Sequence, residues 1–314
     1  MNLELIWENK NSIPVTTEIY RGDAPLDREN LGTPLVTLTE QETRWVDQSV
    51  DRSKLYYYVF VTITENDRNV SQNYPMRAVP RRGPGPTDVV MGDMNLGYFG
   101  TIQQSMFIGA ERLAGHCGFP AVGPTYNFAG VTHWHKFIRN GKVLFVPNQV
   151  ISISAITAKM IYEAGCTYGT DDNGPQVPPN CTPTPQTKRI TIGPDTFRIR
   201  VARGWGDDPS IPMPGGIVAT PEGKSEWSDL VYPQFIVVPP DQTLPNINTI
   251  DTVTGLGINA TSGAVCQEVL TATTIMVRGS AYVLTQRQSP MYCAPKTPTD
   301  NAVAWYPVLE LVED

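Results

Sequence analysis

Five acidic residues cluster in the sequence around two tryptophans, Trp205 and Trp227. The acids are Asp207, Asp208, Glu222, Glu226 and Asp229. Carboxylate pairs beside aromatic platforms are the groups that glycoside hydrolysis requires. Trp205, Trp227 and Tyr232 could instead stack on a sugar without cleaving it. Because acids in loops more often face solvent or cap helices, we predict no catalytic residue and keep these three aromatic residues as candidates for glycan binding.

Two histidines, His133 and His135, stand two residues apart in a predicted strand. Side chains at this spacing share one face of the strand, which would permit a metal site. A catalytic zinc ion needs a third protein ligand, and the one other histidine is His116. No cysteine or carboxylate stands at a sequence spacing from these histidines that would indicate a metal site. We therefore predict ordinary core or surface histidines, with no metal and no cofactor.

The chain contains five cysteines, at positions 117, 166, 181, 266 and 293. Their number is odd and no Cys-x-x-Cys motif occurs. Neither a disulfide framework nor a zinc ribbon is therefore predicted. The pattern is that of buried or idle thiols in a protein made in a reducing cytosol.

The overall charge of the 314-residue chain is negative, with 24 Lys and Arg against 31 Asp and Glu. A net charge of −7 argues against a nucleic-acid partner, which would need a basic surface. The N-terminus does not have the form of a signal peptide, and no apolar run is long enough to span a membrane. We therefore expect synthesis and assembly in the cytoplasm and no membrane insertion.

The composition favours a mainly β fold. Only 18% of the residues are charged, while 26 are Gly and 28 are Pro. This balance is typical of short strands joined by many ordered turns. Residues 1–80 contain six or seven short strand patterns, the strongest at Leu55 to Ile63, and are predicted to form a small β-sandwich. Residues 81–88 alternate Gly and Pro and are predicted to be a short, semi-stiff linker.

The rest of the chain divides into a connector, 89–130, and a larger β-rich domain, 131–314. The connector is predicted to hold one short helix from Gln103 to Leu113, which Gly115 would end. In the larger domain, Asn140-Gly141 between two alternating runs predicts a β-hairpin. Further strands are predicted after it, including Val265 to Ile275, residues 280–284 and a last strand from Ala304 to Leu311. Two short helices are predicted, one from Thr157 to Ala164 and one that begins with Ser225 as its N-cap. Three long loops are predicted between these elements. Long loops on a scaffold of short strands are where binding usually occurs.

The N-terminal strands resemble the fibronectin type III family. The resemblance rests on an early tryptophan, Trp7, and on three later pieces: Trp45-Val46-Asp47-Gln48-Ser49-Val50, Leu55-Tyr56-Tyr57-Tyr58-Val59 and residues 66–71. It implies a β-sandwich that acts as a spacer or an adhesion module. An immunoglobulin-like sandwich is the alternative. In animal fibronectin domains the triplet Arg21-Gly22-Asp23 can bind integrins, but three residues match easily by chance, so we expect an ordinary polar turn.

The C-terminal half resembles a family of tailed-bacteriophage virion proteins. Four pieces carry the resemblance: Trp134-His135-Lys136-Phe137 with Asn140-Gly141-Lys142-Val143-Leu144, Phe197-Arg198-Ile199-Arg200-Val201, Ser225-Glu226-Trp227-Ser228-Asp229-Leu230 and Trp305-Tyr306-Pro307-Val308-Leu309-Glu310-Leu311. Such phage proteins often carry an N-terminal immunoglobulin-like or fibronectin-like domain. The last piece is also similar to the final strand of C-type-lectin-like folds, although their calcium-binding acid motifs are not evident.

The resemblance implies a structural protein of the virion, in the neck, tail, baseplate or an exposed fibre. Its partners would be other virion proteins, in a homo-oligomer or a symmetric multi-copy arrangement, with host attachment through a surface glycan as a further role. We therefore expect a protein that is not an enzyme. Two alternatives stay open from the residues around Trp205 and Trp227: a carbohydrate-active enzyme and a non-catalytic, glycan-binding adhesin.

Overall fold

A computed structural model describes residues 3–9, 11, 13–51, 54–77, 82–119, 128–153, 155–206, 225–234, 247, 262–279 and 293–312. The fold is mainly β, as the composition predicts. The chain divides into two compact units, Met1–Arg81 and Arg82–Val312. Among the described residues, no helix is both long and apolar enough to cross a membrane.

The first unit is a two-sheet sandwich. Its described strands are β1 (Leu3–Ile6), β2 (Thr16–Gly22), β3 (Val36–Leu38), β4 (Arg44–Asp47), β5 (Leu55–Ile63), β6 (Arg68–Val70) and β7 (Tyr74–Arg77). Strands β1 and β4 form one antiparallel sheet, and the other five strands form the second around β5. The core between them includes Leu5, Ile19, Tyr56 and Tyr58. Strand β5 is rich in aromatic and β-branched residues, which suit a half-buried pleated strand.

The described residues of the second unit form two larger sheets and three short α-helices. Its described strands are β8 (Met91–Gly92), β9 (Leu96–Gln103), β10 (His133–Arg139), β11 (Lys142–Pro147), β12 (Ser152–Ile153), β13 (Arg189–Ile192), β14 (Asp195–Val201), β15 (Gly263–Val269), β16 (Ile275–Arg278), β17 (Cys293–Lys296), β18 (Val303–Trp305) and β19 (Pro307–Leu311). The helices are α1 (Ala110–His116), α2 (Ala158–Glu163) and α3 (Glu226–Val231).

The larger sheet is fully antiparallel, with the strand order β13-β14-β19-β11-β10-β9-β8. Its central hairpin, β10–β11, turns at Asn140 and Gly141, which have φ angles of 50° and 77°. Positive φ at both positions is what a type I′ turn needs, so the predicted hairpin is confirmed. The smaller sheet has the order β12-β18-β15-β16-β17 and pairs β15 with β18 in parallel.

Helices cover both faces of the seven-stranded sheet. On one face, α1 and α2 share a core with Trp134, Phe145 and Phe197. On the other face, α3 shares a core with Phe137, Leu144 and Val308. The sheet is therefore buried on both sides, which explains why β10 and β11 are buried at nearly every position instead of alternating between buried and exposed residues.

The segment predicted as a connector differs from the structure, because it supplies β8 and β9 to the seven-stranded sheet. Glycine suggested a loop here, yet Gly97 allows a close backbone approach: a Cβ at this position would lie 2.3 Å from the carbonyl oxygen of Asp93. The predicted helix also differs. A 3-10 turn at Gln104–Met106 precedes α1, which ends before Gly118, whose φ is 79°.

Two of the later predicted strands also differ from the structure. The run predicted as one strand from Val265 to Ile275 is a hairpin, β15 and β16, with a turn at Thr271–Thr274. The C-terminal run predicted as one strand is divided at Tyr306, so that β18 and β19 belong to different sheets. Pro307 has no backbone N–H with which to continue the hydrogen-bond ladder of β18, and this agrees with the change of sheet at this point. The predicted strand at 280–284 lies outside the described residues.

The Gly-Pro segment predicted as a linker is part of the second unit. The Nζ atom of Lys136, in β10, donates hydrogen bonds to the carbonyl oxygens of Gly83, Pro84 and Pro86, at 3.4, 3.0 and 2.7 Å. Gly83 and Gly85 have positive φ angles of 65° and 80°, which turn the backbone carbonyls in this stretch. Residues 82–88, which the sequence predicted as a semi-stiff linker, are therefore held by hydrogen bonds to a strand of the second unit.

Candidate functional site

Helix α3 is the centre of the region in which the sequence placed its candidate residues. It begins after Ser225, whose Oγ accepts a hydrogen bond from the backbone N–H of Ser228 at 3.1 Å. This N-cap confirms the predicted helix start. The backbone N–H of Trp227 donates to the carbonyl oxygen of Arg203 at 2.9 Å. The first turn of the helix is thus tied to the chain that follows β14.

A buried ion pair joins α3 to the seven-stranded sheet. Arg200, in β14, donates from Nη1 and Nη2 to the two carboxylate oxygens of Glu226, at 2.6 and 2.7 Å. Its Nε donates to Oε2 of Glu310, in β19, at 2.8 Å. Lys142 donates to the other oxygen of Glu310 at 2.8 Å. The bidentate pair is the strongest geometry open to an Arg and a carboxylate, and it fixes both the distance and the orientation of α3.

A second buried ion pair fixes the helix one turn further on. Nε of Arg139, at the end of β10, donates to Oδ2 of Asp229 at 2.8 Å. Both side chains are less than 10% exposed. Since Glu226 and Asp229 stand three residues apart, they share one face of α3. This face therefore binds two separate strands of the sheet through charged contacts, while Trp227 and Leu230 enter the core.

The charges of this network are stabilised in the folded state. Burial alone would raise the pKa of Glu226, but the charge and hydrogen bonds of Arg200 outweigh it and hold the pKa below its usual 4.5. At Glu310, burial would also raise the pKa, but the charges and hydrogen bonds of Arg200 and Lys142 outweigh it, so this pKa is lowered as well. Both carboxylates are therefore ionised at neutral pH and in mild acid.

Acid should weaken the second unit through these two carboxylates. Their folded-state pKa values lie below the unfolded value of about 4.5, so their stabilising contribution is complete above pH 4.5 and is lost as the pH falls through the folded values. We expect Glu226→Gln to lower the free energy of unfolding at pH 7 and to flatten its fall between about pH 4.5 and 3. Urea midpoints measured across this range test the prediction. Glu111→Gln, an exposed change in α1, should keep the wild-type slope.

The acids proposed for glycoside hydrolysis divide into two groups. Glu226 and Asp229 are buried and each is bound to an arginine, so neither is free to act on a sugar. Asp207, Asp208 and Glu222 lie outside the described residues. In the described part of the chain, the acids of this cluster hold the fold together.

The aromatic candidates are also part of the packing. Trp227 is fully buried and its ring lies edge-on to Tyr306, with centroids 6.0 Å apart. Trp205 is 7% exposed and belongs to the same core cluster. Neither ring offers the open face that a stacked sugar needs. Tyr232 lies in the 3-10 turn Tyr232–Gln234, and its side chain is outside the described part.

The histidine pair lies on one face of β10, as the strand spacing predicts. The rings of His133 and His135 have centroids 5.1 Å apart, and His135 is fully buried. Burial, together with the charge of His133, lowers the pKa of His135 to about 3, so its ring is neutral. Nδ1 of His135 lies 3.1 Å from the hydroxyl of Tyr98. His116 lies elsewhere, bonded to the carbonyl oxygen of Arg189 at 2.7 Å. No three potential ligands converge as a metal site within the described ranges.

The Arg21-Gly22-Asp23 triplet is held in the sandwich. Nη1 of Arg21 donates to Oδ2 of Asp47 at 2.7 Å, and its guanidinium lies 4.8 Å from the ring centroid of Tyr56. Asp23 binds Lys54 at 2.8 Å. A guanidinium so engaged is not presented to a receptor, which agrees with the ordinary turn that we expect here.

Asp47 should matter far more to the first unit than Asp23. Asp47 is 1% exposed and also accepts hydrogen bonds from Ser49 and from the hydroxyl of Tyr58. We expect Asp47→Asn to cost about 2 kcal/mol, because a buried charged acceptor is lost. Asp23→Asn removes an exposed ion pair and should cost about 0.5 kcal/mol or less. Hydrogen exchange of the β5 amides measures the loss of protection in each variant. Equal losses in the two variants would contradict the prediction.

An open groove of about 380 Å³ lies in the first unit, lined by Leu35, Trp45, Val46, Asp47, Gln48 and Ser49. Asp47, the charged residue in this lining, is already paired with Arg21. Three of its six lining residues are apolar and three are polar, so the groove is of mixed character.

Sequence reasoning missed the two residues that organise the second unit, Arg200 and Lys136. Both are buried cations in strands that are buried at most positions. A signal existed for Arg200, because Phe197-Arg198-Ile199-Arg200-Val201 places two arginines on one face of a strand that is otherwise apolar. Polar and apolar residues do not alternate regularly around Lys136, so nothing in the sequence distinguished it from a surface lysine.

The four pieces on which the sequence analysis based its resemblance lie next to one another in the fold. Strands β14, β19, β11 and β10 are neighbours in the sheet, and α3 binds them through Arg200 and Arg139. The chain matches no protein-family model, and comparison with curated proteins and with solved structures gives no match either.

Proposed function

We propose that this protein is a structural component of a tailed-phage virion, in the neck, tail, baseplate or an exposed fibre. It would act by protein–protein assembly, present in several symmetric copies and bound to other virion proteins. One observation carries the proposal. The four separate pieces of the resemblance meet in space, as four adjacent strands and the helix that they bind.

This convergence supports the resemblance because the pieces are far apart in sequence. Arg139 and Asp229 are 90 residues apart, and Arg200 and Glu310 are 110 apart, yet each pair is in contact. A chance match of short pieces would not be expected to select neighbouring elements of one core. The shared pieces therefore describe a packed framework, which is the part of a protein that sets its fold.

The state of the acids also favours an assembly role over catalysis. A glycosidase needs one carboxylate free to donate a proton and another free to attack or activate water. Glu226 and Asp229 are each committed to a buried arginine. Their arrangement supports a rigid scaffold, the property that a part built into a particle requires.

Mass spectrometry of purified phage particles tests the proposal. Particles are prepared from a culture that produces this chain, purified by density gradient and digested. We expect the chain at a constant ratio to the major capsid protein across gradient fractions. Its absence from particles that are otherwise complete would overturn the proposal. Turnover of host polysaccharide by the purified chain would favour the enzymatic alternative instead.

A further inference from the structure

Two buried thiols from distant parts of the chain meet on the face of the seven-stranded sheet that α1 and α2 cover. Cys117 directly follows α1 and is 4% exposed, while Cys166 lies shortly after α2 and is fully buried. Their Sγ atoms are 3.6 Å apart. Cys181 and Cys266 donate to carbonyl oxygens of their own segments instead. We propose that Cys117 and Cys166 are a modification site, at which a thiol oxidant forms a disulfide that links the ends of α1 and α2.

The backbone holds both cysteines in fixed positions. Gly118, next to Cys117, has a φ of 79°, and Gly165, next to Cys166, has a φ of 76°. Both glycines end a helix in the left-handed conformation. A Cβ on Gly165 would lie 2.8 Å from the carbonyl oxygen of Pro185, so this turn has no freedom to accept a larger residue. The two sulfur atoms therefore approach each other from two rigid turns.

The geometry requires only a small movement for a bond to form. A disulfide has an S–S length of about 2.05 Å, so the sulfur atoms need to come roughly 1.5 Å closer. Rotation about the side-chain torsions moves a sulfur atom by this amount without unfolding a helix. The Sγ atom of Cys166 also lies 3.6 Å from the carbonyl oxygen of Ala164, so its thiol has two neighbouring acceptors, of which one is the Sγ atom of Cys117.

The chemistry balances with an azo compound such as diamide as the oxidant. The thiolate of one cysteine adds to the N=N bond, and the adduct takes up a proton. The second thiolate then attacks the bound sulfur, forms the S–S bond and expels the hydrazine product. Two thiols lose two electrons and two protons, and the oxidant gains them.

The reaction should be slow and should depend on pH. The hydrogen bond to Cys117 and the burial of the site raise the pKa of the Cys166 thiol well above its usual 9. Since the thiolate is the attacking form, the rate should rise about tenfold for each unit of pH below that value. The pair therefore stays reduced in a cytosol and oxidises when it meets an oxidant for long enough.

The bond would close a loop of roughly 50 residues that contains the central hairpin β10–β11 and α2. A constraint of this length removes much of the freedom of the unfolded chain, and we expect it to raise the Tm of the second unit by about 10 °C. The proposal concerns the chain itself and does not depend on the proposed function.

The experiment treats the folded full chain with diamide, blocks the remaining thiols and digests the product without reductant. We expect one cross-link between the tryptic peptides 113–136 and 160–188, a loss of two hydrogen atoms and a rise in Tm that dithiothreitol reverses. Because the second peptide also contains Cys181, the Cys181→Ser variant is the matched control and should keep the cross-link. Cys117→Ala should lose it.

Three results would overturn the proposal. They are five free thiols after prolonged treatment at pH 8.5, a cross-link that disappears in Cys181→Ser, and a cross-link found only between two chains. Mapping on the wild-type chain and on Cys181→Ser decides the question even if Cys117→Ala does not fold.

Discussion

Replacing Arg200 with Met should lower the free energy of unfolding of the second unit by about 4 kcal/mol. The guanidinium is 7% exposed and binds both Glu226 and Glu310. Without it, Glu226 loses its bidentate partner and Glu310 keeps only Lys142, and a buried charge without its paired cation is among the costliest defects in a fold. Urea denaturation of the full chain, with hydrogen exchange of the β14 and β19 amides as a local probe, measures the effect.

Arg189→Met is the matched control for this variant. Arg189 lies in β13, the neighbouring strand, and Nη2 is 2.7 Å from Oδ1 of Asp171. Both side chains of that pair are more than 40% exposed, so solvent screens the interaction and its loss should cost less than about 1 kcal/mol. If the two variants lost stability equally, burial of the Arg200 network would not be the source of its strength.

Replacing Lys136 with Met should release the Gly-Pro segment, residues 82–88, from the sheet. The amine is fully buried, donates to three carbonyl oxygens and lies 5.0 Å from the ring centroid of Phe99. Its removal leaves those oxygens without their donor, at a local cost of about 3 kcal/mol. We expect the amides of Gly83, Gly85 and Thr87 to exchange roughly 100-fold faster, because 1.4 kcal/mol corresponds to a factor of ten.

The free energy of global unfolding of Lys136→Met should change less than the free energy of local opening that hydrogen exchange reports. Burial, with the positive charge of Arg82 nearby, lowers the pKa of Lys136 to about 8 from 10.5, so its charge is costly in the folded state. The unfolded chain binds more protons between these values, and this group therefore makes wild-type stability rise with pH above about 8. Lys136→Met removes that rise. Lys142→Met, an exposed change in β11, should leave it in place, and a rise that survived in Lys136→Met would contradict this origin.

Local sequence was enough to predict those parts of the fold that local chemistry determines. The dipeptide Asn140-Gly141 placed the central hairpin, because few residues tolerate two successive positive φ angles. The aromatic and β-branched run from Leu55 to Ile63 became β5 with the predicted bounds. Ser225 marked the start of α3 through a hydrogen bond that spans three residues. Each of these features depends on a few neighbouring residues.

The candidate site depends on contacts that no local pattern reveals. Glu226 and Asp229 belong to the acidic cluster around Trp205 and Trp227, which kept a carbohydrate-active enzyme open as an alternative, but their partners Arg200 and Arg139 lie 26 and 90 residues away. Lys136 binds carbonyl oxygens about 50 residues earlier, so the sequence indicated only a semi-stiff linker in the Gly-Pro segment. The sequence alone does not show whether a charged residue has a buried partner or faces solvent. Only the fold distinguishes the two cases.

The position of β19 has a consequence for how the protein is made. This strand, Pro307–Leu311, lies between β14 and β11 in the middle of the seven-stranded sheet. During synthesis both neighbours leave the ribosome more than a hundred residues before the strand that joins them, so the sheet stays open between β14 and β11 until residues 307–311 have been made. Long-range pairing of this kind is slow and leaves strand edges exposed meanwhile. A nascent chain of this protein is therefore expected to bind chaperones, and deletion of β19 would divide the sheet instead of shortening its edge.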